Sequence, residues 1–291
     1  PDFRRTTQRR DPIGEEHLQA LFGAGPRSLE SCRLWDVVAA GRVLAPGRFV
    51  AVAGEGGMVY DYPDPPVRLT LGTTMVDGEL QLTAAVTNRG DQGLSMGLRG
   101  PRLGPMLLGD AVPEHQWYVF PAQGMMVSNR DVVRQVRYGG RFPLQVMAVV
   151  NPSTDDGVYL RTLAQDVGIR RDYCLRKTAA GVSMWVDYPE CRLAPGQTLA
   201  SVPTRIGRTG GDWRTAFALY RDWLRTWYQP CSPRQAWFRD VYTFRQRFLH
   251  SYDPLYDAAT GRYDLQRAID EGRTAFGGID YLHLFDWGNV K

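Results

Sequence analysis

Apolar and polar residues alternate in short runs from Leu34 to about Arg205, and Gly, Pro, Asn or Asp separates the runs at intervals of about 8 to 12 residues. Alternation with a period of two places every second side chain on one face of a strand, so this region is predicted to be all-β. Two of the runs flank Asp77-Gly78, a dipeptide typical of a tight hairpin turn. Strands are predicted at 67–75, 79–87, 117–120, 144–150, 157–163, 171–177, 182–188 and 198–206. So many strands over about 170 residues favour a large two-sheet sandwich over a small immunoglobulin-type one.

The hydrophobic period changes from strand-like to helical at Gly210-Gly211-Asp212. Asp212 is a candidate N-cap, and Pro230 ends the helical pattern. Large apolar residues recur at helical spacing between them, at Trp213, Phe217, Tyr220, Leu224 and Trp227. An aromatic stripe of this kind is typical of a packing face, so we interpret the segment as a linker helix beside the β domain.

The hydrophobic pattern in the remainder of the chain predicts a strand, a helix and a second strand, in that order. Trp237 to Leu249 reads as an extended segment, Leu265 to Phe276 as a helix ended by Gly277-Gly278, and Ile279 to Asp286 as a final strand. This order is typical of the start of an α/β domain. The predicted organisation is therefore a lead-in at 1–30, a β-sandwich at 31–208, a linker helix at 209–235 and the start of an α/β domain at 236–291.

Composition and charge indicate an ordinary globular protein. Apolar residues make up 43% and charged residues 23% of the chain, and the net charge is +4. Only Lys177 and Lys291 are lysines, but the arginines are scattered among 31 acidic residues and form no basic stripe, which argues against a nucleic-acid partner. No apolar run approaches the roughly 18 residues that a membrane span needs, so no membrane partner is predicted either.

The candidate metal and redox residues are dispersed. The histidines His17, His115, His250 and His283 share no zinc-binding spacing, and the glycine-rich Gly54 to Gly57 lacks the features of a phosphate loop, so no metal or cofactor is predicted. A hairpin turn at Thr178 to Gly181 would put Cys174 and Cys191 about three residues out of register. We therefore expect all four cysteines, including Cys32 and Cys231, to be reduced, which favours a cytoplasmic location.

A series of short sequence motifs is spread over most of the chain. In order they are Leu80 to Asn88, Pro121 to Gly124, Tyr138 to Gly140, Leu144 to Ala148, Asp156 to Thr162 with Asp166, Leu193 to Gln197, Gly211 to Arg214 and Tyr220 to Trp223. With the closing Phe-Asp-Trp-Gly, the series resembles the N-terminal region of bacterial glycoside hydrolases related to endo-α-N-acetylgalactosaminidases and to uncharacterised glycosidase-like families. The resemblance covers about residues 35 to 291. It implies a galactose-mutarotase-like β-supersandwich, a linker helix and the first elements of a truncated (β/α)8 barrel.

The resemblance also implies a carbohydrate substrate. Barrel enzymes carry function at the C-terminal ends of their strands, so we expect Asp286, Trp287 and the strand residue His283 to contact sugar. Glycoside hydrolysis needs two carboxyl groups about 5 to 9.5 Å apart, which one strand cannot supply. The catalytic residues are therefore expected beyond Lys291, and this chain alone is expected to be inactive. The alternative is a non-catalytic carbohydrate-binding or scaffold sandwich; sugar, anomer, stereochemical course and oligomeric state are left open.

Overall fold

The computed structural model describes residues 34–44, 48–51, 57–121, 126–127, 132–138, 144–166, 168–229 and 245–285, with the backbone alone at 48–51 and 126–127. The chain divides into two compact units, Pro1–Tyr228 and Gln229–Lys291. The first unit is dominated by strands, and the second combines short strands with one helix.

Unit 1 is a mainly β structure, as the alternating pattern predicted. Its strands are β1 Asp36–Ala39, β2 Arg42–Val43, β3 Arg48–Ala51, β4 Gly57–Pro63, β5 Pro66–Val76, β6 Glu79–Asn88, β7 Leu94–Met106, β8 Trp117–Val119, β9 Met126–Val127, β10 Val132–Arg137, β11 Val146–Asn151, β12 Asp156–Thr162, β13 Asp172–Thr178, β14 Gly181–Leu193, β15 Thr198–Ala200 and β16 Thr204–Thr209. A short 3-10 turn, Pro113–His115, precedes β8.

The strands of unit 1 form two sheets. One has the order β10-β13-β14-β7-β1-β2, and the other β3-β4-β5-β6-β16-β12-β11-β8-β9, with β15 also paired to β6. A single apolar cluster joins them, because Leu98 and Met184 of the first sheet and Leu80 and Val149 of the second belong to the same buried core. The predicted two-sheet sandwich is therefore confirmed.

Two predicted hairpins have the expected register. Asp77 and Gly78 adopt φ values of 53° and 77°, the left-handed pair that a tight turn between β5 and β6 requires. Thr178 faces Gly181 in the β13–β14 hairpin, and Cys174 faces Trp185 rather than Cys191. Both of these thiols are free, as predicted, whereas Cys32 and Cys231 lie outside the described residues.

The single strand predicted at 198–206 is wrong. The structure has two strands, β15 and β16, on either side of Pro203. Proline has no N–H to donate to a ladder, so it interrupts the strand between Val202 and Thr204. Its carbonyl still accepts a hydrogen bond from Leu163 N–H at 2.8 Å.

Helix α1, Arg214–Arg225, packs on the outer face of the larger sheet. Ala216 and Tyr220 are buried against apolar residues of β8, β11 and β12, namely Val119, Val146, Ala148 and Tyr159. The N-cap of the helix is Trp213, without a side-chain cap hydrogen bond, rather than the predicted Asp212. The Asp212 carboxylate lies one position earlier and accepts a hydrogen bond from Arg214 N–H at 3.0 Å. No helix in the described part of the chain is long and apolar enough to cross a membrane.

Unit 2 contains two parallel strands, β17 Gln246–Leu249 and β20 Tyr281–Leu284, joined through a hairpin of β18 Tyr256–Asp257 and β19 Arg262–Tyr263 and through helix α2, Leu265–Phe276. The bounds of α2 agree with the predicted helix. Gly277 ends it in the left-handed conformation, with φ 73°, and Gly277 N–H donates to the Arg273 carbonyl at 3.0 Å, as in an αL cap. The predicted last strand, 279–286, is shorter in the structure. Residues 237–244 of the predicted extended segment lie outside the described residues.

Candidate functional site

The strand pair of unit 2 has two chemically different faces. Strands β17 and β20 run parallel with Gln246 opposite Tyr281 and Phe248 opposite His283. Because side chains alternate along each strand, these four residues share one face, which we call the aromatic face. The intervening residues, Arg247, Leu249, Leu282 and Leu284, belong to the other face.

The other face supplies the apolar core of unit 2. Leu249 is fully buried with Leu255 and with Ala268 of α2, and Leu282 and Leu284 pack against this cluster. A helix that covers one face of a parallel strand pair is the local arrangement of a βαβ unit. The aromatic face is thereby left on the side away from the apolar cluster.

The rings of the aromatic face form a continuous set with those of His250, Tyr252 and Phe285, and we include these three residues in the face. His283 stacks on Phe248, with ring centroids 4.9 Å apart, and lies 5.9 Å from Phe285. His250, the first residue after β17, is 4.7 Å from both Tyr252 and Phe285. Three of the rings are about half exposed, at 45% for Phe248, 47% for Tyr281 and 58% for Phe285, and Tyr252 is 80% exposed. Exposed aromatic rings can pack against an apolar face of a ligand, and the tyrosine and histidine rings add hydrogen-bonding groups.

One imidazole on this face is held by a neighbouring amide. The Nε2 group of Gln246 lies 3.1 Å from Nδ1 of His283. An amide NH₂ donates hydrogen bonds, so this contact fits the imidazole tautomer that carries its proton on Nε2. His283 is therefore oriented by Gln246 on one side and by the Phe248 ring on the other.

The opposite, N-terminal end of the strand pair is fixed by an ion pair. The Arg245 guanidinium donates to both carboxylate oxygens of Asp280, at 3.0 and 3.1 Å, and to the Phe276 carbonyl at 3.1 Å. The hydrogen bond from Arg245 holds the pKa of Asp280 below its ordinary value. The N-terminal end thus has a structural role, and the C-terminal end carries the rings.

The structure describes one of the three predicted sugar-contacting residues. His283 lies on the aromatic face, whereas Asp286 and Trp287 fall outside the described residues. Phe248, His250 and Tyr252 were not predicted as ligand contacts, although the period-two series from Gln246 to Tyr252 carries an aromatic or imidazole ring at each position after the first. That series, matched with Tyr281, His283 and Phe285, was the available signal.

Several of the sequence motifs that carry the resemblance contribute residues to a buried polar network around Gln145 in unit 1. Its Oε1 accepts hydrogen bonds from Thr162 Oγ1 and from the Arg171 guanidinium at 2.9 and 2.8 Å, and its Nε2 donates to the Ala164 carbonyl at 2.8 Å and to the Tyr138 hydroxyl at 3.2 Å. The Arg171 guanidinium also lies over the Tyr138 ring, 3.9 Å from its centroid. These contacts give this part of the sequence pattern a structural role.

The geometry of the described residues also bears on metal binding. Among these residues no group of three or more His, Cys, Asp or Glu side chains is close enough to hold a metal ion. The described part of the aromatic face carries imidazole, phenol, phenyl and amide groups, which can stack on and hydrogen-bond a ligand.

Comparison with solved structures finds similarity to α-galactosidases. The GH36 enzyme AgaB from Geobacillus stearothermophilus has a TM-score of 0.47 and 11% identity, over 86% of this chain and 38% of the enzyme. A variant of AgaA from the same organism, in complex with stachyose, has a TM-score of 0.43 and 12% identity, over 86% and 36%. The α-galactosidase from Lactobacillus brevis has a TM-score of 0.42 and 9% identity, over 86% and 35%.

No protein-family model and no curated protein matches the chain. The chain spans less than two fifths of the length of the α-galactosidases with which it was compared. At this level of similarity no residue role is transferred from those enzymes to this chain.

Proposed function

We propose that this chain is the N-terminal portion of a glycoside hydrolase that acts on carbohydrate. The observation that carries the proposal is the βαβ unit of unit 2. Its parallel strands direct an exposed aromatic and imidazole face away from the apolar core, and His250 and Phe285 lie at the C-terminal ends of the strands. In (β/α)8 enzymes this end of the strands holds the substrate.

The proposed role of the aromatic face is substrate binding. The C–H groups on one side of a pyranose ring form an apolar surface that packs on Phe248 or Phe285, and the His283 and Tyr281 side chains can hydrogen-bond hydroxyl groups. Asp286 and Trp287 follow directly in the sequence, and we propose that they continue the same sugar-binding rim.

The proposed catalytic carboxylates lie on strands that follow β20 in the parent protein. Two carboxyl groups must flank the scissile bond, about 5 to 5.5 Å apart for retention or 6.5 to 9.5 Å for inversion. The described part of the aromatic face presents no carboxylate. We therefore propose that the 291-residue chain binds sugar without hydrolysing it.

The test compares the 291-residue chain with the longer product of the parent gene on aryl α- and β-glycosides. Turnover is expected from the longer product alone. Turnover by the 291-residue chain that is lost in Asp286→Ala would overturn the assignment of the catalytic groups to later strands.

A second experiment addresses the aromatic face in the longer product. Phe248→Ala and His283→Ala are expected to raise KM about tenfold or more, which corresponds to about 1.4 kcal/mol of lost binding. Phe276→Ala is the matched control, because Phe276 is 73% exposed in the same unit but lies at the end of α2, outside the face. Equal KM values for all three variants would exclude the aromatic face from the substrate site.

The alternative function is a carbohydrate-binding or scaffold sandwich with no enzymatic partner. Reading the parent gene beyond residue 291 separates the two. About 200 further residues of alternating strand and helix with strand-end carboxylates support the enzyme, and their absence supports the alternative.

A further inference from the structure

A cleft of about 420 Å³ lies on unit 1 where three segments meet. The loop between β11 and β12 contributes Asp155, the start of β8 contributes Trp117, and the residues at the beginning of α1 contribute Asp212, Trp213 and Arg214. Both indoles are half-buried. The cleft therefore combines two aromatic walls with two carboxylates and one guanidinium.

The walls of the cleft are held in place by backbone geometry. Asp155 adopts φ 53°, a left-handed conformation that few non-glycine residues take, and its Oδ1 accepts a hydrogen bond from Gly211 N–H at 2.7 Å. A Cβ atom on Gly211 would lie only 2.8 Å from the Asn151 carbonyl oxygen, so glycine is needed for this close approach. The two loops are thus joined, and the cleft is preformed.

The same loop is anchored below the cleft. The fully buried Asn151 donates from Nδ2 to the Leu108 carbonyl at 2.9 Å and to Asp110 Oδ1 at 2.7 Å, and its Oδ1 accepts from Ser153 N–H at 3.0 Å. Strain at a position such as Asp155 persists only when surrounding contacts fix the backbone, and it is concentrated at functional sites. These contacts supply that support.

The polar groups of the cleft are arranged side by side. Arg214 donates from Nε to both Asp212 oxygens, at 2.9 and 3.0 Å, and its Nη2 lies 2.9 Å from Oδ2. Both side chains remain accessible, with 75% of Arg214 and 46% of Asp212 exposed. The hydrogen bond from Arg214 holds the pKa of Asp212 below its ordinary value, so the carboxylate is ionised at neutral pH. The pair offers acceptors and donors to two adjacent hydroxyl groups of one ligand.

The charges in the cleft select among ligand classes. The Asp212–Arg214 pair carries no net charge and offers hydrogen bonds to a ligand, and the Asp155 carboxylate leaves one negative charge, which disfavours an anionic ligand. Two indoles favour a flat apolar surface. A neutral ligand with an apolar face and vicinal hydroxyl groups satisfies all three conditions.

We propose that this cleft is a binding site for a neutral pyranose, in which Trp117 and Trp213 contact the ring and the Asp212–Arg214 pair binds vicinal hydroxyl groups. The site is separate from the aromatic face. It is built entirely from unit 1 and does not depend on the proposed function of unit 2, so either can fail while the other stands.

The test uses the full 291-residue chain and saturation-transfer NMR with three neutral trisaccharides, raffinose, maltotriose and cellotriose, each up to about 10 mM, the weak-affinity range for small ligands. Trigalacturonate and choline serve as the anionic and cationic probes. Saturable binding of at least one neutral trisaccharide, with neither charged probe bound at the cleft, is expected. The proposal is overturned if none of the three neutral sugars binds. It is also overturned if the cleft binds trigalacturonate or choline in preference to the neutral sugars.

Variants assign the signal to the cleft. Asp212→Asn, which keeps the shape of the side chain, and Trp117→Ala are each expected to weaken binding about tenfold or more. Asp222→Asn is the matched control, because Asp222 forms an equivalent exposed pair with Arg221 on α1, outside the cleft. Thermal unfolding of each variant verifies the fold; if Trp117→Ala does not fold, Asp212→Asn decides.

Binding that Phe248→Ala abolishes and Asp212→Asn leaves unchanged would place the sugar on the aromatic face and overturn the cleft assignment. The reverse pattern supports the cleft and leaves the substrate role of unit 2 to its own kinetic test.

Discussion

Arg161 on β12 and Glu79 on β6 form an ion pair with both side chains more than nine-tenths buried. The Arg161 Nε donates to Glu79 Oε1 at 2.8 Å, and its Nη1 donates to the Leu219 carbonyl of α1 at 2.8 Å. Glu79 also accepts hydrogen bonds from the Tyr159 hydroxyl and from Arg205. The pair therefore joins two strands of the larger sheet to the helix that packs on it.

Replacement of one member of this pair is expected to destabilise unit 1 strongly. Glu79→Gln leaves the Arg161 guanidinium buried without a counter-ion, which typically costs about 3 to 5 kcal/mol. The free energy of unfolding from urea titration measures the effect. Asp61→Asn is the control, because Asp61 pairs with Arg68 at a more exposed position on the same sheet. Comparable losses in the two variants would contradict the special role of the buried pair.

The Glu79 carboxylate is also expected to make the free energy of unfolding of unit 1 fall at low pH. Burial raises the pKa of Glu79, but the hydrogen bonds from Arg161, Tyr159 and Arg205 outweigh burial, and the pKa lies below its ordinary value. A lowered folded-state pKa gives stability that is complete above the unfolded-state pKa and is lost as the pH falls through the folded-state value. Unfolding free energies measured from pH 7 downward are expected to fall less steeply in Glu79→Gln than in the parent chain.

The Gln145 network gives a second stability prediction. Gln145→Leu removes the acceptor of Thr162 and Arg171 and is expected to cost about 3 kcal/mol, because buried polar groups lose their partners. Gln135→Leu is the control, since Gln135 is exposed and makes one 3.1 Å hydrogen bond to Asp172. Chemical denaturation of both variants checks the prediction, and a Gln145→Leu variant as stable as Gln135→Leu would contradict it.

The cap of α2 predicts a local effect in unit 2. Gly277 has φ 73°, so Gly277→Ala places a Cβ in a left-handed conformation at a cost of about 1 to 2 kcal/mol, whereas Gly277→Asn costs less. Hydrogen exchange of the α2 amides is expected to accelerate more in the alanine variant than in the asparagine variant. Equal exchange in the two variants would show that the cap does not limit opening of the helix.

The two described thiols are expected to react at different rates. Burial raises the pKa of the Cys174 thiol, and Asp187 raises it further, whereas Cys191 is exposed. In a Cys32→Ser/Cys231→Ser background, maleimide is expected to label Cys191 in the folded chain and Cys174 only upon unfolding. Mass spectrometry of the labelled peptides gives the order, and prompt labelling of Cys174 would contradict its burial.

Local signals predicted the local structure well. Asp77-Gly78 gave the β5–β6 hairpin because its backbone conformation is set by two adjacent residues, and Gly277-Gly278 gave the end of α2 for the same reason. The break at Pro203 was missed because the apolar residues from Leu199 to Ile206 were assigned to one strand, although proline has no N–H to donate to a continuous ladder.

Contacts between distant residues were less accessible to sequence reasoning. His283 was predicted as a ligand contact from its strand, but its stacking partner Phe248 was not, because parallel pairing joins segments separated by a whole helix. The cleft of unit 1 was also not predicted: Asp212 was considered only as a helix cap, and only the folded sheet brings Asp155 and Trp117 beside it.

The contact between Arg161 and the Leu219 carbonyl determines where the chain can be truncated. Residues 209–228 lie within the first compact unit, and α1 covers Val146 and Ala148 on the larger sheet. A shortened protein that stops at residue 208 would open this apolar surface to water and strip one hydrogen-bond acceptor from a buried guanidinium. The smallest piece of the sandwich suited to isolated study therefore extends through Tyr228.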